Sequence, residues 1–412
     1  MISPATTQAV ICGAGIAGVS TAYFLTAAGV DDVVLCDPLP PLTLTSDKST
    51  ECYRNWWPDP QMVSFMDRSI DLLDLLAEES NDAFHLNRRG YLYVSADAGG
   101  VPDGAESLTQ AEVAEQYPYL TDAAASAVRV QRAGWFSAQQ LGAWMLDRAR
   151  ERGATLIRGR VTGIDQQAHR VAGVRLDDGA NIATDTFINA AGPMLGEVGT
   201  LAGADLPVHN EVHLKVAFRD TLGAVPRDAP MLIWSDTQRL DLSDAERALC
   251  VQDGRTDLLG ELPAGCHCRP EGGLDSEWVL GLWEYHRDVR EPMWPLPADP
   301  MYAQTVLRGL ATMVPAMAGY IADPPESVVD GGYYNKTVDN LPLIGRSGID
   351  GAFVCGALSG YGVMAACAAG ELAALHVTGA SLPDYADAFD PARFDDPAYA
   401  KQAAAAPDTG QI

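Results

Sequence analysis

Lysine is nearly missing from this chain. Lys48, Lys215, Lys336 and Lys401 are the only four among 28 basic residues, and these face 55 Asp and Glu, for a formal net charge of −27 at pH 7. A field of that sign repels nucleic-acid phosphates and anionic lipid headgroups, so neither nucleic acid nor a membrane surface is read as a partner. Cysteine is sparse in a different sense. Its eight thiols are scattered, and Cys12, Cys36, Cys355 and Cys367 sit in apolar runs, where a free thiol packs as a small hydrophobe. No disulfide framework is read, and a reducing cytoplasm is the expected setting. A basic leader region is also lacking before the first apolar run, which turns at Gly13, so no signal peptide is read. The uncharged stretch Gly351–Gly370 is long enough to span a bilayer. Gly356, Ser359, Gly360, Tyr361 and Gly362 break its middle, so it reads as buried strand, turn and buried helix.

What is present is ordinary globular material. A hydrophobic fraction of 47% and an aromatic fraction of 8% exclude wholesale disorder. At about 100–200 residues per domain, 412 residues predict two or three domains. Gln8–Cys12 reads as an apolar strand, followed by Gly13-Ala14-Gly15-Ile16-Ala17-Gly18 and an Ala-rich helix to about Ala28. Val33–Cys36 is a second strand closed by Asp37. A GxGxxG motif alone is a weak signal; between a strand and a helix, with an acidic residue about twenty positions on, it predicts dinucleotide binding. The first glycine permits the tight turn, the second a close approach of pyrophosphate, the third close packing of helix on strand. The helix N-terminus then meets the phosphates, and Asp37 a ribose diol. The motif does not choose between NAD and FAD.

Helices are predicted over Asp59–Glu79 and Gln139–Arg152, and strands at Tyr91–Ser95, Thr155–Ile157, Val161–Ile164 and Phe187–Ala191. Val208–Phe218 and Trp278–Tyr285 alternate at period two around a polar Gly/Pro/Asp region, 220–276, so 206–325 reads as a mostly β second domain. Cys266-His267-Cys268-Arg269 lacks CxxC spacing, and no metal site is read there. Alternation puts His267 and Arg269 on one strand face, toward a substrate cavity. His209, Glu211 and His213 likewise share a face, read as a polar pocket wall or a solvated strand. His286 is a free acid/base candidate.

The segment Gly331-Gly332-Tyr333-Tyr334-Asn335-Lys336 through Asp339-Asn340-Leu341-Pro342, with Gly356-Ala357-Leu358-Ser359-Gly360-Tyr361-Gly362 and a small-residue helix, resembles the C-terminal flavin block of the D-amino-acid oxidase and sarcosine/glycine oxidase family. Gly134-Trp135-Phe136, Ile188-Asn189-Ala190-Ala191-Gly192-Pro193 and Leu206-Pro207 stand in the family's order. The likeness covers about four-fifths of the chain and implies FAD as cofactor. It implies an α/β fold: a Rossmann-like FAD-binding domain of the glutathione-reductase type, with a second α+β substrate domain on a mainly antiparallel sheet. Residues 1–50, 136–205 and 326–385 are expected to form the first, 51–135 and 206–325 the second, and 386–412 a surface tail. The implied flavin contacts are the Gly13–Gly18 turn, Asp37, the loop residues Ser46, Lys48, Ser49 and Thr50, Val161 through its backbone, Ala190, Ala191 and Gly192. Gly332, Gly356 and the run Ser359, Gly360, Tyr361, Gly362, Val363 and Met364 complete them. The helix starting near Val363 is expected to aim its positive end at the flavin pyrimidine edge.

The implied reaction is oxidation of the C–N bond of an amino acid or N-alkyl amine, hydride passing to the flavin and the imine hydrolysing. Arg54 is the expected carboxylate fork, with Trp57, Tyr334, Tyr361 and Met364 as pocket wall. Arg54, His267, Arg269 and Lys336 are the candidate catalytic residues. Three departures qualify the match. Met364 replaces a second, cationic carboxylate ligand. Gly332 replaces the cysteine that tethers the flavin, so FAD is expected to be non-covalent. Val279 aligns with the lysine that activates oxygen, which makes a dehydrogenase with another electron acceptor an alternative. A non-catalytic, FAD-stabilised assembly factor is the second alternative. A flavin monooxygenase usually wants a second nucleotide motif, and none is found. Oligomeric state is not readable.

Overall fold

The structure, a computed structural model, describes residues 6–98 and 105–405. Its first layer grows from the strand Ala9–Cys12, paired in parallel with Val33–Asp37 on one side and Phe187–Asn189 on the other. Thr155–Arg158 and Ala352–Gly356 extend this sheet in parallel, and Leu343–Arg346 closes it antiparallel, for six strands. Each central strand is apolar on both faces, as a doubly covered sheet requires. Ala9 and Ile11 belong to the core under the helices, while Val10 and Cys12 face the small sheet built from Val161–Gln167, Arg170–Leu176 and Asn181–Ala183.

The helices Ile16–Ala27 and Gly362–Thr378 lie close together because their contact is made of small residues. A Cβ on Gly370 would stand 2.2 Å from Ser20 Oγ, and that hydroxyl donates to the Ala366 carbonyl at 2.6 Å. Pro60–Ser80 and Ala138–Glu151 complete this core. Asp59 caps the former by accepting from the Gln61 and Met62 amides, with Pro60 at the first helical position.

The second layer is an eight-stranded sheet, antiparallel at every contact except that of Met231–Trp234 with Tyr91–Ser95. Period-two alternation divides its strands cleanly. Val212, Leu214, Val216 and Phe218 enter the core under the helix Tyr302–Met313, as do Leu232, Trp234, Cys266 and Cys268. The interleaved residues, among them Tyr91, Met231, Ile233, His213 and His267, lie on the opposite face, and this face carries the site.

Three boundaries differ from the sequence reading. Ser327–Thr337 pairs with Val208–Arg219 over eleven positions, so the residues just after 326 belong to the large sheet rather than to the first layer. The helix Pro60–Ser80 packs on Gly362–Thr378 in the first core. Besides the expected strand at Cys266–Pro270, the polar region 220–276 contains a second central strand, Met231–Trp234, and both are wholly buried. The tail is docked through residue 399: Phe389 packs on Phe65 at 4.7 Å, and the nearly buried pair Arg393–Asp339 closes at 2.8 Å with Tyr399 Oη on the same carboxylate. Residues 406–412 of that tail lie outside the described residues. Among the described residues, no helix is long and apolar enough to cross a membrane.

Candidate active site

Two cavities meet between the layers. The larger spans about 940 Å³, part of it open to solvent, and is lined by the glycine-rich turn, the 39–49 loop, Ala190–Pro193 and the 355–363 turn. The smaller spans about 540 Å³, also partly open, and lies against the second sheet. Ser49, Tyr334, Gly360 and Val363 line both and form the neck between them.

The glycines of the turn divide their work as the spacing predicts. Gly13 has φ +109°, and a Cβ there would lie 2.3 Å from the Ala190 carbonyl oxygen. A Cβ on Gly18 would lie 1.9 Å from the Gly13 oxygen, which is the close packing of helix on strand. Gly15 lines the large cavity, and its added Cβ would meet only Ser46 Oγ, at 3.3 Å. Gly13→Ala therefore strains the fold, whereas Gly15→Ala leaves it intact and fills space an anion would use. Flavin released on dilution of Gly15→Ala, followed by fluorescence, should report about tenfold weaker binding at an unchanged melting temperature.

The helices opening at Ile16 and Gly362 both start on this cavity, and neither N-cap residue, Gly15 or Tyr361, supplies a capping side chain. Their first turns thus present positive dipole, and donors other than the Ile16 amide, to the space between. Ser46 reaches across from the loop and accepts from the Ile16 amide at 2.9 Å. Asp37 accepts from the Ala14 and Leu39 amides, both at 2.8 Å, which fixes the turn beside it. An elongated, doubly anionic dinucleotide with a flat ring at one end fits these features. FAD, when bound here, supplies the hydride-accepting ring. Its phosphates would meet Gly15, Ile16 and Ala17, and its ring the backbone of Gly360–Val363.

The flavin contacts expected from sequence are not all equally placed. Ala14 is fully buried and serves through its amide. Ala190, Ala191, Gly192, Gly356 and Ser359 line the large cavity, and Thr50 and Met364 the smaller one. Lys48 turns outward, ion-paired with Asp47 at 2.7 Å and Asp330 at 2.8 Å. The Val161 side chain is buried in the core with Cys36 and Ile157, which leaves only its main chain for an adenine. Gly332 sits on the long strand against Thr45 and Lys48: an added Cβ would be 3.2 Å from Thr45 Cα.

The smaller cavity has apolar walls, Tyr91, Met231, Ile233 and Leu282 among them, and few ionic groups. Arg54 is one, 4% exposed, its Nε donating to the Trp56 carbonyl at 3.1 Å and its guanidinium lying 4.2 Å from the Trp57 ring centre. Trp57 therefore backs the arginine rather than lining the cavity. Tyr361 packs edge-on against Trp57 and donates its hydroxyl to the Asn340 carbonyl at 2.6 Å. His267 lines the cavity with Nδ1 2.7 Å from the Gly265 carbonyl oxygen, and burial pushes its pKa down to about 4. Glu284 is a carboxylate that sequence reasoning did not single out.

Glu284, half-buried, ends a ladder of alternating charge whose inner members Lys336, Glu211 and His213 are buried. His213 Nδ1 lies 2.8 Å from its Oε1, and His213 Nε2 lies 3.3 Å from Glu211 Oε2. Glu211 also meets Lys336 Nζ and His209 Nε2, both at 3.2 Å. The His213 ring stacks on Tyr334 at 3.9 Å. Burial disfavours an imidazolium there, but the carboxylates of Glu284 and Glu211 outweigh it and raise its pKa to about 9. Burial likewise opposes both carboxylates, yet His209, His213 and Lys336 hold Glu211 well below the usual range, and His213 lowers Glu284.

The consequence for stability has a definite sign. An unfolded histidine titrates near 6.5, so the imidazolium's contribution is complete below that pH and is lost as pH rises through about 9. Thermal melts from pH 6.5 to 9.5 should show a loss on the order of 3 kcal/mol that His213→Gln does not show.

The remaining candidates are corrected by their surroundings. The Arg269 side chain shares a strand face with His267 but lines neither cavity. Its Nε donates to the Thr50 carbonyl at 2.9 Å, it pairs with Glu271, and it lies over Trp135 at 5.1 Å. Lys336 sits one layer behind the cavity, on Glu211. His209, Glu211 and His213 form neither a solvated strand nor a cavity wall but the buried ladder. His286 is exposed beside Tyr285. Val279 is fully buried in the core under the helix Tyr302–Met313, because odd-numbered residues of its strand face away from the site. Lys215 lines neither cavity; it donates to the carbonyl of Ser49, a residue of the neck, at 2.8 Å, and burial lowers its pKa. Cys266 and Cys268 face the opposite side of the strand from His267 and cannot converge with it on one ion.

A two-layer α/β scaffold with a dinucleotide cavity opening onto a smaller cavity of apolar walls and few ionic groups defines a class of flavoprotein, and comparison with known proteins identifies the family. Residues 8–375 match the description "FAD dependent oxidoreductase", and the chain belongs to that family, known as DAO. Among solved structures it is similar to L-proline dehydrogenase from P. horikoshii, with a TM-score of 0.76 and 22% identity, covering 95% of this chain and 99% of that one. It is similar to glycine oxidase from Geobacillus kaustophilus, with a TM-score of 0.73 and 19% identity over 94% and 97%. It is also similar to iminodiacetate oxidase from Chelativorans sp. BNC1, with a TM-score of 0.72 and 19% identity over 93% and 99%. Among curated protein sequences no relative matches.

Proposed function

We propose that this protein oxidises the C–N bond of an amino acid or N-alkyl amino acid, with non-covalently bound FAD accepting the hydride. The observation that carries this reading is the pairing of Arg54 and Glu284 on the wall of one mainly apolar cavity that opens at Gly360 onto the flavin cavity. A zwitterionic substrate has one charge for each. Its carboxylate takes the guanidinium fork, and its amine faces the Glu284 carboxylate. The apolar walls hold the side chain or the N-alkyl group and exclude water from the reacting carbon. No residue of the chain needs to remove the C–H proton, since the hydrogen leaves with its electron pair. Tyr334 and Gly360 set how near the substrate carbon approaches the ring. Gly332 has no side-chain atom with which to tether the flavin, which supports non-covalent binding. The structurally similar proteins named for proline, glycine and iminodiacetate all take carboxylated amines, in keeping with this reading.

The test supplies an artificial dye as electron acceptor and assays formation of the carbonyl product, 2-oxo acid or aldehyde, that imine hydrolysis releases. Carboxylated amines should give product, while their decarboxylated counterparts should give at least about a hundredfold less, the value of a buried charged contact. Equal rates for both would overturn the assignment of Arg54. The electron acceptor in the cell, oxygen or another, is decided by repeating the assay in air without dye.

A further inference from the structure

The ladder behind Glu284 is more elaborate than holding one carboxylate requires. Its members come from three strands. Glu211 and His213 lie on Val208–Arg219, with His209 at its outer end, Lys336 and Tyr334 lie on Ser327–Thr337, and Glu284 follows Trp278–Leu282. Read inward, the charges alternate: Lys336 positive, Glu211 negative, His213 positive, Glu284 negative. A substrate ammonium in the cavity is the next positive charge. His213 and that ammonium thus share one carboxylate, and His213 is fixed in place by its stack on Tyr334 and its contact with Glu211.

We propose that His213 is a positioning residue that tunes the amine subsite, its imidazolium offsetting the charge of Glu284 so that a bound ammonium gives up its proton more readily. This rests on the proposed function. Loss of hydride from carbon needs the nitrogen lone pair, so the amine must be neutral at that moment. The step concerned is a proton transfer alone: the N–H bond breaks, its electron pair stays on nitrogen, the proton goes to solvent, and nothing is oxidised. Glu284 by itself would hold the ammonium strongly and oppose that loss. The nearby imidazolium weakens the hold. The other charged or titratable groups facing this pair are Glu211, Lys336, His209, Tyr334 and His267, with Arg54 across the cavity and Lys215 two residues further along the strand of His213, tied to the Ser49 carbonyl. Of the histidines, His267 titrates far below neutrality and stays uncharged in the working range.

The test uses two unreactive ligands of the same shape on the FAD-loaded protein: trimethylglycine, permanently cationic at nitrogen, and 3,3-dimethylbutanoate, its uncharged carbon isostere. Both carry the carboxylate that Arg54 would take. Dissociation constants are read at pH 8 from the flavin difference spectrum and checked by calorimetry. The ratio of the two constants measures the field at the amine subsite. The wild type should prefer trimethylglycine, Glu284→Gln should lose the preference, and His213→Gln should increase it about tenfold, as expected when a like charge a few ångströms away is removed. In the wild type the preference should also rise as pH passes 9, a step missing in His213→Gln; this arm needs no variant to fold. A preference that is unchanged or smaller in His213→Gln, with no step in the wild type, overturns the inference. Failure of the wild type to bind either ligand instead overturns the carboxylated-amine reading on which it rests.

Discussion

Arg54→Met should raise KM for a carboxylated amine by about two orders of magnitude, with FAD content unchanged. The side chain is 4% exposed, and its guanidinium lies 4.2 Å from the Trp57 ring centre. Methionine keeps much of the hydrophobic volume and removes the charge, so the packing of Trp57 on Tyr361 should survive. A carboxylate brought into the cavity of that variant meets no cationic fork, and an unpaired buried charge is the costly case. The loss should fall on KM more than on kcat if the contact is equally strong in ground and transition states. Steady-state kinetics against a carboxylated amine and its decarboxylated form separates the two: the difference between them should largely vanish in the variant. Unchanged kinetics would place the carboxylate elsewhere.

Gly360→Ala should abolish flavin reduction while leaving the layers folded. An added Cβ would lie 2.4 Å from Tyr334 Cε2. A flexible side chain would swing away, but this ring is stacked on His213 at 3.9 Å and lines the neck between the two cavities. The clash therefore either drives the ring into one of the cavities or displaces the 357–361 turn, where Ala357 and Ser359 already hold positive φ. Either outcome blocks the approach of substrate carbon to flavin. The rate of anaerobic reduction by a good substrate should fall by at least about a thousandfold, on the scale of a misplaced reactant. Near-normal reduction would mean that the neck does not separate the two ligands.

Both predictions rest on residues that the sequence made visible, and the reasons are physical. The Gly13–Gly18 turn is constrained by backbone approach, so its glycines had to stand at fixed spacing whatever surrounds them. The uncharged stretch at 351–370 read correctly as strand, turn and helix, because only a turn there could carry three glycines between apolar runs. What stayed hidden depended on which way a side chain points. Val279 and Leu280 differ by one position, and one position in a strand moves a side chain from the cavity side to the helix core. Glu284 lies just past the strand Trp278–Leu282 in a polar neighbourhood and carries no local mark; only its meeting with His213, 71 residues earlier in the chain by their numbers, gives it meaning. Met231–Trp234 was missed because four apolar residues buried on both faces show no alternation. Arg269 was singled out for sharing a strand face with His267 and Lys336 for its place in the flavin-block segment, but the fold uses their charges for packing and for the ladder instead.

Fold likeness at 22% identity does not transfer a reaction. The function rests on the cavity, and the flavin itself is the most direct reporter of what enters it. The FAD-loaded protein, titrated under argon with N-methyl and primary amino acids while its visible absorbance is recorded, tests the central claim. The account predicts that at least one carboxylated amine bleaches the flavin stoichiometrically and that the matching amine without a carboxylate does not. A purified protein that carries no flavin, or a flavin that no carboxylated amine reduces, would contradict it.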